Sequence, residues 1–87
     1  MKLLKDILYG TRITTVVGST HIAIESVVAD SRQVKPFGCF VAIPGTLVDG
    51  HDHIPAASRA GAAAIICERL PAEEDRKEHV VYVQVEE

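Results

Sequence analysis

The fold of this chain is decided by residues 39–67, which read CFVAIPGTLVDGHDHIPAASRAGAAAIIC. The almost wholly apolar run from Cys39 to Ile43 predicts a strand that is covered on both faces. After a polar loop, Asp52 can cap a helix that ends at Gly61, and a second buried strand is predicted from Ala62 to Cys67. Strand, loop, helix and strand in this order form a βαβ unit, which places the two strands parallel in one sheet.

The segments on either side of this unit extend the alternating pattern. Four apolar residues on one helical stripe predict a short amphipathic helix that ends near Gly10: Leu3, Leu4, Ile7 and Leu8. Further strands are predicted at three places: Ile13 to Val17, Ile22 to Ala29 and His79 to Val85. The charged segment from Leu70 to Glu78 is compatible with a helix or a loop. We therefore predict the α/β fold class, with a small mixed, partly parallel sheet flanked by helices, in a single domain spanning residues 1–87.

Composition excludes several functional classes. With 87 residues, 47% of them hydrophobic, and a formal net charge of -3, the chain is too apolar for a disordered protein and too acidic overall for a general nucleic-acid binder. Asp6 interrupts the apolar N-terminus, and no apolar run approaches the roughly 20 residues of a membrane span, so we expect neither a secretion signal nor a membrane partner. Cys39 and Cys67 lie within apolar runs, which predicts two reduced, buried thiols rather than a disulfide.

Two polar loops flank the central strand and suggest a ligand site. Parallel α/β sheets bind ligands beyond the carboxyl ends of their strands, and both the Asp30-Ser31-Arg32 turn and the loop from Gly45 to Gly50 follow predicted strands. The second loop also precedes a helix N-terminus, whose backbone amides favour anions. The Ser31 hydroxyl and the Arg32 guanidinium can supply a donor and a positive charge, which fits a phosphorylated or nucleotide-linked ligand. The alternative is that Asp30 and Ser31 only cap a turn while Arg32 pairs with a neighbouring carboxylate.

The second loop carries the residue types of a metal site: Asp49, His51, Asp52 and His53. Three ligands with one open position would need another residue from a distant segment, and none is obvious in the sequence. The alternative interpretation is that Asp49 and Gly50 shape the turn, Asp52 caps the helix and His53 packs at its start. We therefore expect no metal ion to be bound by these residues.

Nucleophilic and nucleotide-hydrolysing sites find little support in the sequence. Ser31, His51 and Asp49 could be combined on paper into a catalytic set, but no Gly-x-Ser-x-Gly elbow exposes a serine. A Gly-x-x-x-x-Gly-Lys-Ser/Thr loop for a nucleoside triphosphate is absent from all 87 residues. We therefore expect no catalytic residue in this chain and expect any bound ligand to be processed elsewhere.

Four short patterns in the chain resemble a known family. They read Asp30-Ser31-Arg32-x-Val34-x-Pro36, Phe40-Val41-Ala42-Ile43-x-Gly45, Asp49-Gly50-His51-Asp52-x-Ile54-x-x-Ala57 and Gly61-Ala62. Together they cover about residues 24–68 and resemble the N-terminal domain of the Mur ligases of peptidoglycan synthesis. Their order and spacing, and the opening helix, are most similar to the MurE type, with the MurF type as an alternative.

The resemblance implies that this domain binds the uridine-diphosphate end of a peptidoglycan precursor, UDP-MurNAc-L-Ala-D-Glu. Five residues would contact the uridine nucleotide by this resemblance: Ala29, Ser31, Thr46, Leu47 and Val48. Asp30 and Arg32 match the family motif too, but they would organise the turn more than touch the ligand.

The same resemblance implies a larger enzyme around this domain. Central and C-terminal domains, absent from this chain, would bind ATP with Mg²⁺ and the incoming amino acid, so no cofactor is expected here and the chain alone should be inactive. The whole enzyme would be a cytoplasmic ligase that adds a diamino acid to the D-glutamate through an acyl phosphate. The choice between meso-diaminopimelate and L-lysine would be made in a domain that this sequence does not contain.

Two positions depart from the family pattern. Where the family commonly has Pro-Gly-Asp before the strand, this chain has Pro36-Phe37-Gly38, and we predict a turn over residues 35–38 in which Gly38 relieves the backbone. His53 stands where the family usually has an aromatic residue, a change that we expect to weaken helix packing without touching the ligand site. A function of a different class, a free-standing module that binds a metal or a partner protein, is the remaining alternative.

Overall fold

The computed structural model describes residues 1–86, which are arranged around a mixed five-stranded sheet. The strands are β1 (Lys2–Leu3), β2 (Ile13–Val17), β3 (Ala23–Ile24), β4 (Ser26–Val28), β5 (Gly38–Val41), β6 (Ala64–Cys67) and β7 (Val81–Val85). The helices are α1 (Leu4–Ile7) and α2 (Ile54–Arg59), with 3₁₀ turns at Ser31–Gln33, Gly50–His53 and Glu73–Asp75. No helix in this part of the chain is long and apolar enough to cross a membrane.

The five strands of the main sheet lie in the order β2-β7-β6-β5-β4. Strands β4, β5, β6 and β7 pair in parallel, whereas β2 pairs antiparallel with β7 at one edge. Strands β1 and β3 form a separate antiparallel ribbon. The mixed, partly parallel α/β fold is therefore confirmed, and β5, α2 and β6 form the predicted βαβ unit with its two strands adjacent.

Both faces of the sheet are covered, as the apolar strands predict. On one face, α2 packs over a cluster that includes Phe40, Ile65 and Tyr82. On the other face, α1 and β3 contribute to a cluster that includes Cys39 and Ala64. Successive side chains of β5 and β6 thus enter opposite clusters, and each large apolar side chain that is fully buried contributes about 1.5–3 kcal/mol to stability.

The two cysteines are buried free thiols, as predicted. Cys39 lies in the cluster beneath α1 and Cys67 in the cluster beneath α2, so the sheet separates them. Burial raises the pKa of Cys39 to about 12 and that of Cys67 to about 11. Both thiols are therefore protonated and inert at neutral pH.

The N-terminal helix and the strand after β2 differ from the predictions. Helix α1 ends at Ile7 rather than near Gly10, and Leu3 pairs in the β1–β3 ribbon instead of joining the helical stripe. The strand predicted from Ile22 to Ala29 is divided into β3 and β4. The break falls at Glu25, because its N–H donates to the carbonyl of the turn before β5 and leaves the strand ladder.

The strands of the core are shorter than predicted. Ile43 lies beyond the end of β5 and is 55% exposed, and β6 begins at Ala64. The last strand begins at Val81, since His79 has a φ of +67° that extended backbone does not allow. The segment predicted as helix or loop, Leu70 to Glu78, is a loop with one 3₁₀ turn.

The turn before β5 places its strained residue one position earlier than predicted. The Gly38 N–H donates to the Lys35 carbonyl (3.0 Å), which closes a turn with Pro36 at its second position. The left-handed residue is Phe37, with a φ of +66°, rather than Gly38. A positive φ at the third position identifies a type II turn, where glycine fits best. The aromatic residue at this position costs about 1–2 kcal/mol.

Candidate functional site

The turn that follows β4 is organised by Asp30. Its Oδ1 accepts hydrogen bonds from the backbone N–H of Arg32 (2.9 Å) and from Arg32 Nε (3.0 Å), and Oδ2 accepts one from Arg32 Nη2 (2.8 Å). These hydrogen bonds, from the side chain first and then the backbone, lower the pKa of Asp30 from 3.8 to about 2. Asp30 and Arg32 therefore organise the turn as predicted, and the guanidinium pairs with a neighbouring carboxylate.

The loop that follows β5 is closed at its base by backbone contacts. The Gly50 N–H donates to the Ile43 carbonyl (2.9 Å), and a Cβ on Gly50 would lie only 2.6 Å from the Ile43 nitrogen. A Cβ on Gly45 would likewise collide with the Val48 carbonyl oxygen. Glycine is therefore required at both ends of the loop, because any side chain would push its two arms apart. Between them, Leu47 projects into solvent.

Asp49 has the capping role that the sequence assigned to Asp52. Asp49 Oδ1 accepts from the backbone N–H of His51 (2.9 Å) and lies 2.7 Å from His51 Nδ1, while Oδ2 pairs with the Arg69 guanidinium. The backbone N–H of His51 first, and then Arg69, hold the pKa of Asp49 well below its usual range. The prediction for Asp52 was wrong because the 3₁₀ turn Gly50–His53 precedes α2 and moves the cap upstream.

The imidazole of His51 joins this turn to the end of β6. Its Nε2 accepts hydrogen bonds from the backbone N–H groups of Glu68 (3.0 Å) and Arg69 (3.2 Å). Only 7% of the His51 side chain is exposed. Both ring nitrogens are engaged by protein groups, and residues 1–86 contain no cluster of three His, Cys, Asp or Glu side chains that could hold a metal ion.

The two polar turns together form an open pocket of about 570 Å³ at the carboxyl edge of β4 and β5. Its lining comes from both turns: Ala29, Asp30, Ser31, Arg32, Ile43, Val48, Gly50 and His53. Of the five residues predicted to contact a uridine nucleotide, Ala29, Ser31 and Val48 line this pocket. Thr46 and Leu47 lie on the adjoining loop and do not line it.

His53 is a pocket residue that the sequence interpretation missed. We expected it to pack at the start of α2 without touching the ligand site, but it is exposed and lines the pocket beside Asp30. The expectation failed because the helix starts later than predicted, which turns His53 outward at the N-cap position of α2. Its position between a strand-end loop and a helix N-terminus, where anions bind, was the signal available in the sequence.

A second pocket of about 330 Å³ lies on the other side of the Asp49 turn. It is lined by His51, Ile54, Pro55, Arg69, Leu70, Pro71 and Asp75. His51 therefore lines a different pocket from Ser31, and its Nε2 accepts two backbone amides instead of facing a hydroxyl. The catalytic set of Ser31, His51 and Asp49 that could be drawn on paper is not assembled.

A family model described as "Mur ligase family, catalytic domain" matches residues 23–87. This chain belongs to the Mur ligase family. The matched region includes the βαβ unit and both turns that line the larger pocket. The resemblance drawn from the four sequence patterns is therefore confirmed.

Several curated Mur ligases similar to this chain share the name UDP-N-acetylmuramoyl-L-alanyl-D-glutamate--2,6-diaminopimelate ligase. The protein of that name from Bacteroides fragilis is 48% identical to this chain over 82 residues, which is 94% of the chain and 16% of the relative. The one from Bacillus licheniformis is 44% identical over 69 residues, or 79% of the chain and 14% of the relative. The chain is thus similar to MurE-type ligases and spans less than a fifth of the length of these relatives.

A solved Mur ligase shares the fold. The crystal structure of the MurF ligase from Thermotoga maritima in complex with ADP is similar over 64% of this chain and 12% of that chain, with a TM-score of 0.55 and 38% sequence identity. The fold seen here therefore also occurs as a small part of a larger ligase of the same family.

Proposed function

We propose that this chain is the N-terminal domain that binds the uridine-nucleotide end of UDP-MurNAc-L-Ala-D-Glu in a MurE-type ligase. One observation carries the proposal: Ala29 and Ser31 after β4 and Val48 after β5, three residues selected from the sequence, line one pocket at the carboxyl edge of two parallel strands. Ligands of open α/β sheets bind at this edge. The MurE-type names of the relatives support this choice of substrate.

The pocket has the chemistry that a nucleoside diphosphate needs. Its volume of about 570 Å³ lies within the usual range of small-ligand sites. Ala29, Ile43 and Val48 offer an apolar wall for the base and ribose, and the Ser31 hydroxyl can donate to or accept from the nucleotide. A ring N–H of His53 at the start of α2 can donate to the diphosphate.

We assign the chemical step of the whole ligase to parts outside this chain. ATP with Mg²⁺ would phosphorylate the D-glutamate carboxylate and release ADP, and the amine of a diamino acid would then attack the acyl carbon and displace phosphate. The support is that no Gly-x-x-x-x-Gly-Lys-Ser/Thr loop occurs in the 87 residues and that the chain spans 16% of its Bacteroides fragilis relative. The remaining domains of a cytoplasmic ligase would be its partners.

Calorimetric titration of the chain with UDP-MurNAc-L-Ala-D-Glu, with UDP and with Zn²⁺ tests the proposal. We expect the two nucleotides to bind with similar, modest affinity, because both present the same uridine diphosphate, and we expect no heat from zinc. Zinc binding without nucleotide binding would instead support a free-standing metal module. Binding of UDP-MurNAc-L-Ala-D-Glu but not of UDP would show that the chain recognises another part of the substrate than the uridine diphosphate.

A matched pair of hydroxyl variants tests whether the ligand binds in this pocket. Ser31→Ala should weaken UDP binding about five- to tenfold with the fold intact, which corresponds to the loss of roughly one net hydrogen bond. Thr15→Ala removes an exposed hydroxyl on β2, at the opposite edge of the sheet, and should leave the affinity unchanged. Unchanged affinity in Ser31→Ala would remove Ser31 from the site.

A further inference from the structure

The hydrogen-bond network around His51 adjoins in sequence two residues that line the larger pocket, Val48 and Gly50. Asp49, His51 and Arg69 do not line that pocket, whereas Val48 and Gly50, their neighbours in sequence, do. The network joins the loop after β5 to residues 68 and 69 at the end of β6, 17 and 18 positions away. It therefore connects the loop that contributes Val48 and Gly50 to the end of β6, the central strand of the sheet.

The hydrogen bonds assign the tautomer of the His51 ring. The groups that face Nε2 are the backbone N–H groups of Glu68 and Arg69, which can only donate, so Nε2 must be the unprotonated acceptor. Nδ1 therefore carries the proton and donates it to Asp49 Oδ1 at 2.7 Å. The imidazole is a bridge with an acceptor on one side and a donor on the other.

Side-chain packing does little to hold the loop that precedes His51. Leu47 is exposed and Val48 is 64% exposed, so neither side chain anchors the loop by packing. Its base is held by the bond from Gly50 to Ile43 and by Asp49, whose carboxylate contacts His51 and Arg69. The position of Val48 in the pocket therefore depends on the residues that hold Asp49.

We propose that His51 is a positioning residue for the nucleotide site. Its ring, which accepts from the amides at the end of β6, holds Asp49 and thereby sets where Val48 meets the ligand. This inference rests on the proposed function, since it assigns a second set of residues to the same pocket.

A spectroscopic measurement tests the bridge without any ligand. Long-range ¹H–¹⁵N correlation of the His51 ring in the 87-residue chain at neutral pH should show the proton on Nδ1 and an unprotonated Nε2. A proton on Nε2, or on both nitrogens, would overturn the proposal. His21, exposed and outside both pockets, serves as the internal reference for an unconstrained ring.

Three variants test whether the bridge positions the ligand. His51→Leu should weaken UDP binding about tenfold, the equivalent of roughly one net hydrogen bond at the ligand. His51→Gln should recover part of the loss, because its side-chain oxygen can still accept from the Glu68 and Arg69 amides. Arg69→Gln changes a 61% exposed side chain, so the chain should stay folded, and it should weaken binding by a smaller factor. The amide resonance of Val48 should shift in the same order.

Two outcomes separate this inference from the function on which it rests. If Ser31→Ala weakens UDP binding while His51→Leu and Arg69→Gln bind like the parent, the site is correct and the positioning role is wrong. If the parent chain binds no uridine nucleotide at all, the proposed function fails, whatever the state of the His51 ring. His21→Leu is the matched control. It should bind UDP like the parent, and its Val48 amide resonance should not shift.

Discussion

The Asp30 turn and the Asp49 turn have the same local geometry and different surroundings. Each aspartate has extended backbone, with φ and ψ of −109° and 116° or −103° and 119°, and accepts the N–H two residues later at 2.9 Å. The residue that each one binds differs, because Arg32 is 88% exposed and His51 is 7% exposed. Local sequence therefore sets the turn, and long-range contacts decide how firmly it is held.

The two turns lie on two sides of the pocket, and different contacts hold their aspartates. The Asp30 turn satisfies its own side chains and presents Ser31 from an exposed segment. The Asp49 turn is tied to β6 through His51, so its neighbour Val48 has a defined position.

The largest expected effect is on the free energy of unfolding, and it should differ between variants of His51 and of Arg32, the residues that the two aspartates bind. His51→Leu should lower the free energy of unfolding by about 1–3 kcal/mol, because it leaves partly buried amides without an acceptor. Arg32→Leu should leave the unfolding midpoint close to that of the parent, since an exposed ion pair contributes little. Urea unfolding followed by circular dichroism measures both. Equal losses would show that the two turns are held in the same way.

As pH falls, the stabilising effect of the Asp30 carboxylate should be lost before that of the Asp49 carboxylate. Hydrogen bonds depress the pKa of both carboxylates in the folded state, so each contributes stability above its unfolded pKa and loses it as pH falls through the folded value. For Asp30 the window runs from 3.8 down to about 2, and for Asp49 it extends lower. In urea unfolding, the difference in midpoint between the parent and Asp30→Asn should disappear by about pH 2. The difference between the parent and Asp49→Asn should persist in part at that pH. Asparagine keeps the cap, so the comparison isolates the charge.

The fold was predictable where apolar runs have one interpretation. Strands β5 and β6 are buried on both faces, and the sequence between them carries a glycine after α2, so the βαβ unit follows from local pattern. The end of β5 was not predictable, because Ile43 is as apolar as the strand but lines the pocket. The apolar run therefore does not show that β5 ends at Val41 and that Ile43 belongs to the pocket wall.

The site was predictable only in part, because its decisive contacts are not local. Ser31 follows a strand end, a position that sequence pattern marks. The acceptor role of His51 depends on amides 17 and 18 residues away, which no spacing rule encodes. The outward position of His53 depends on the 3₁₀ turn Gly50–His53, which precedes α2 and delays the start of the helix to Ile54.

A third turn, between the two, should be improved by a single substitution. Phe37 has a φ of +66° and is 60% exposed, so its ring adds little packing to offset the strained backbone. Phe37→Gly should raise the free energy of unfolding by about 0.5–1 kcal/mol, since relief of the left-handed conformation exceeds the added entropy of the unfolded chain. Thermal unfolding measures the gain. A loss of stability would show that the aromatic ring packs more than its exposure indicates.

The smallest expected effect is on UDP affinity when the polar groups that line the pocket in each turn are removed. Asp30 and Arg32 cancel each other's charge, so the double variant Asp30→Asn with Arg32→Gln should change UDP affinity little. His53→Ala removes a ring N–H at the start of α2 and should weaken UDP binding about threefold, as expected for one exposed hydrogen bond to a phosphate. His53→Gln, which keeps a donor, should recover most of the loss. If the double variant weakens binding more than His53→Ala does, Arg32 leaves Asp30 to bind the diphosphate, and the Asp30 turn carries the charge recognition.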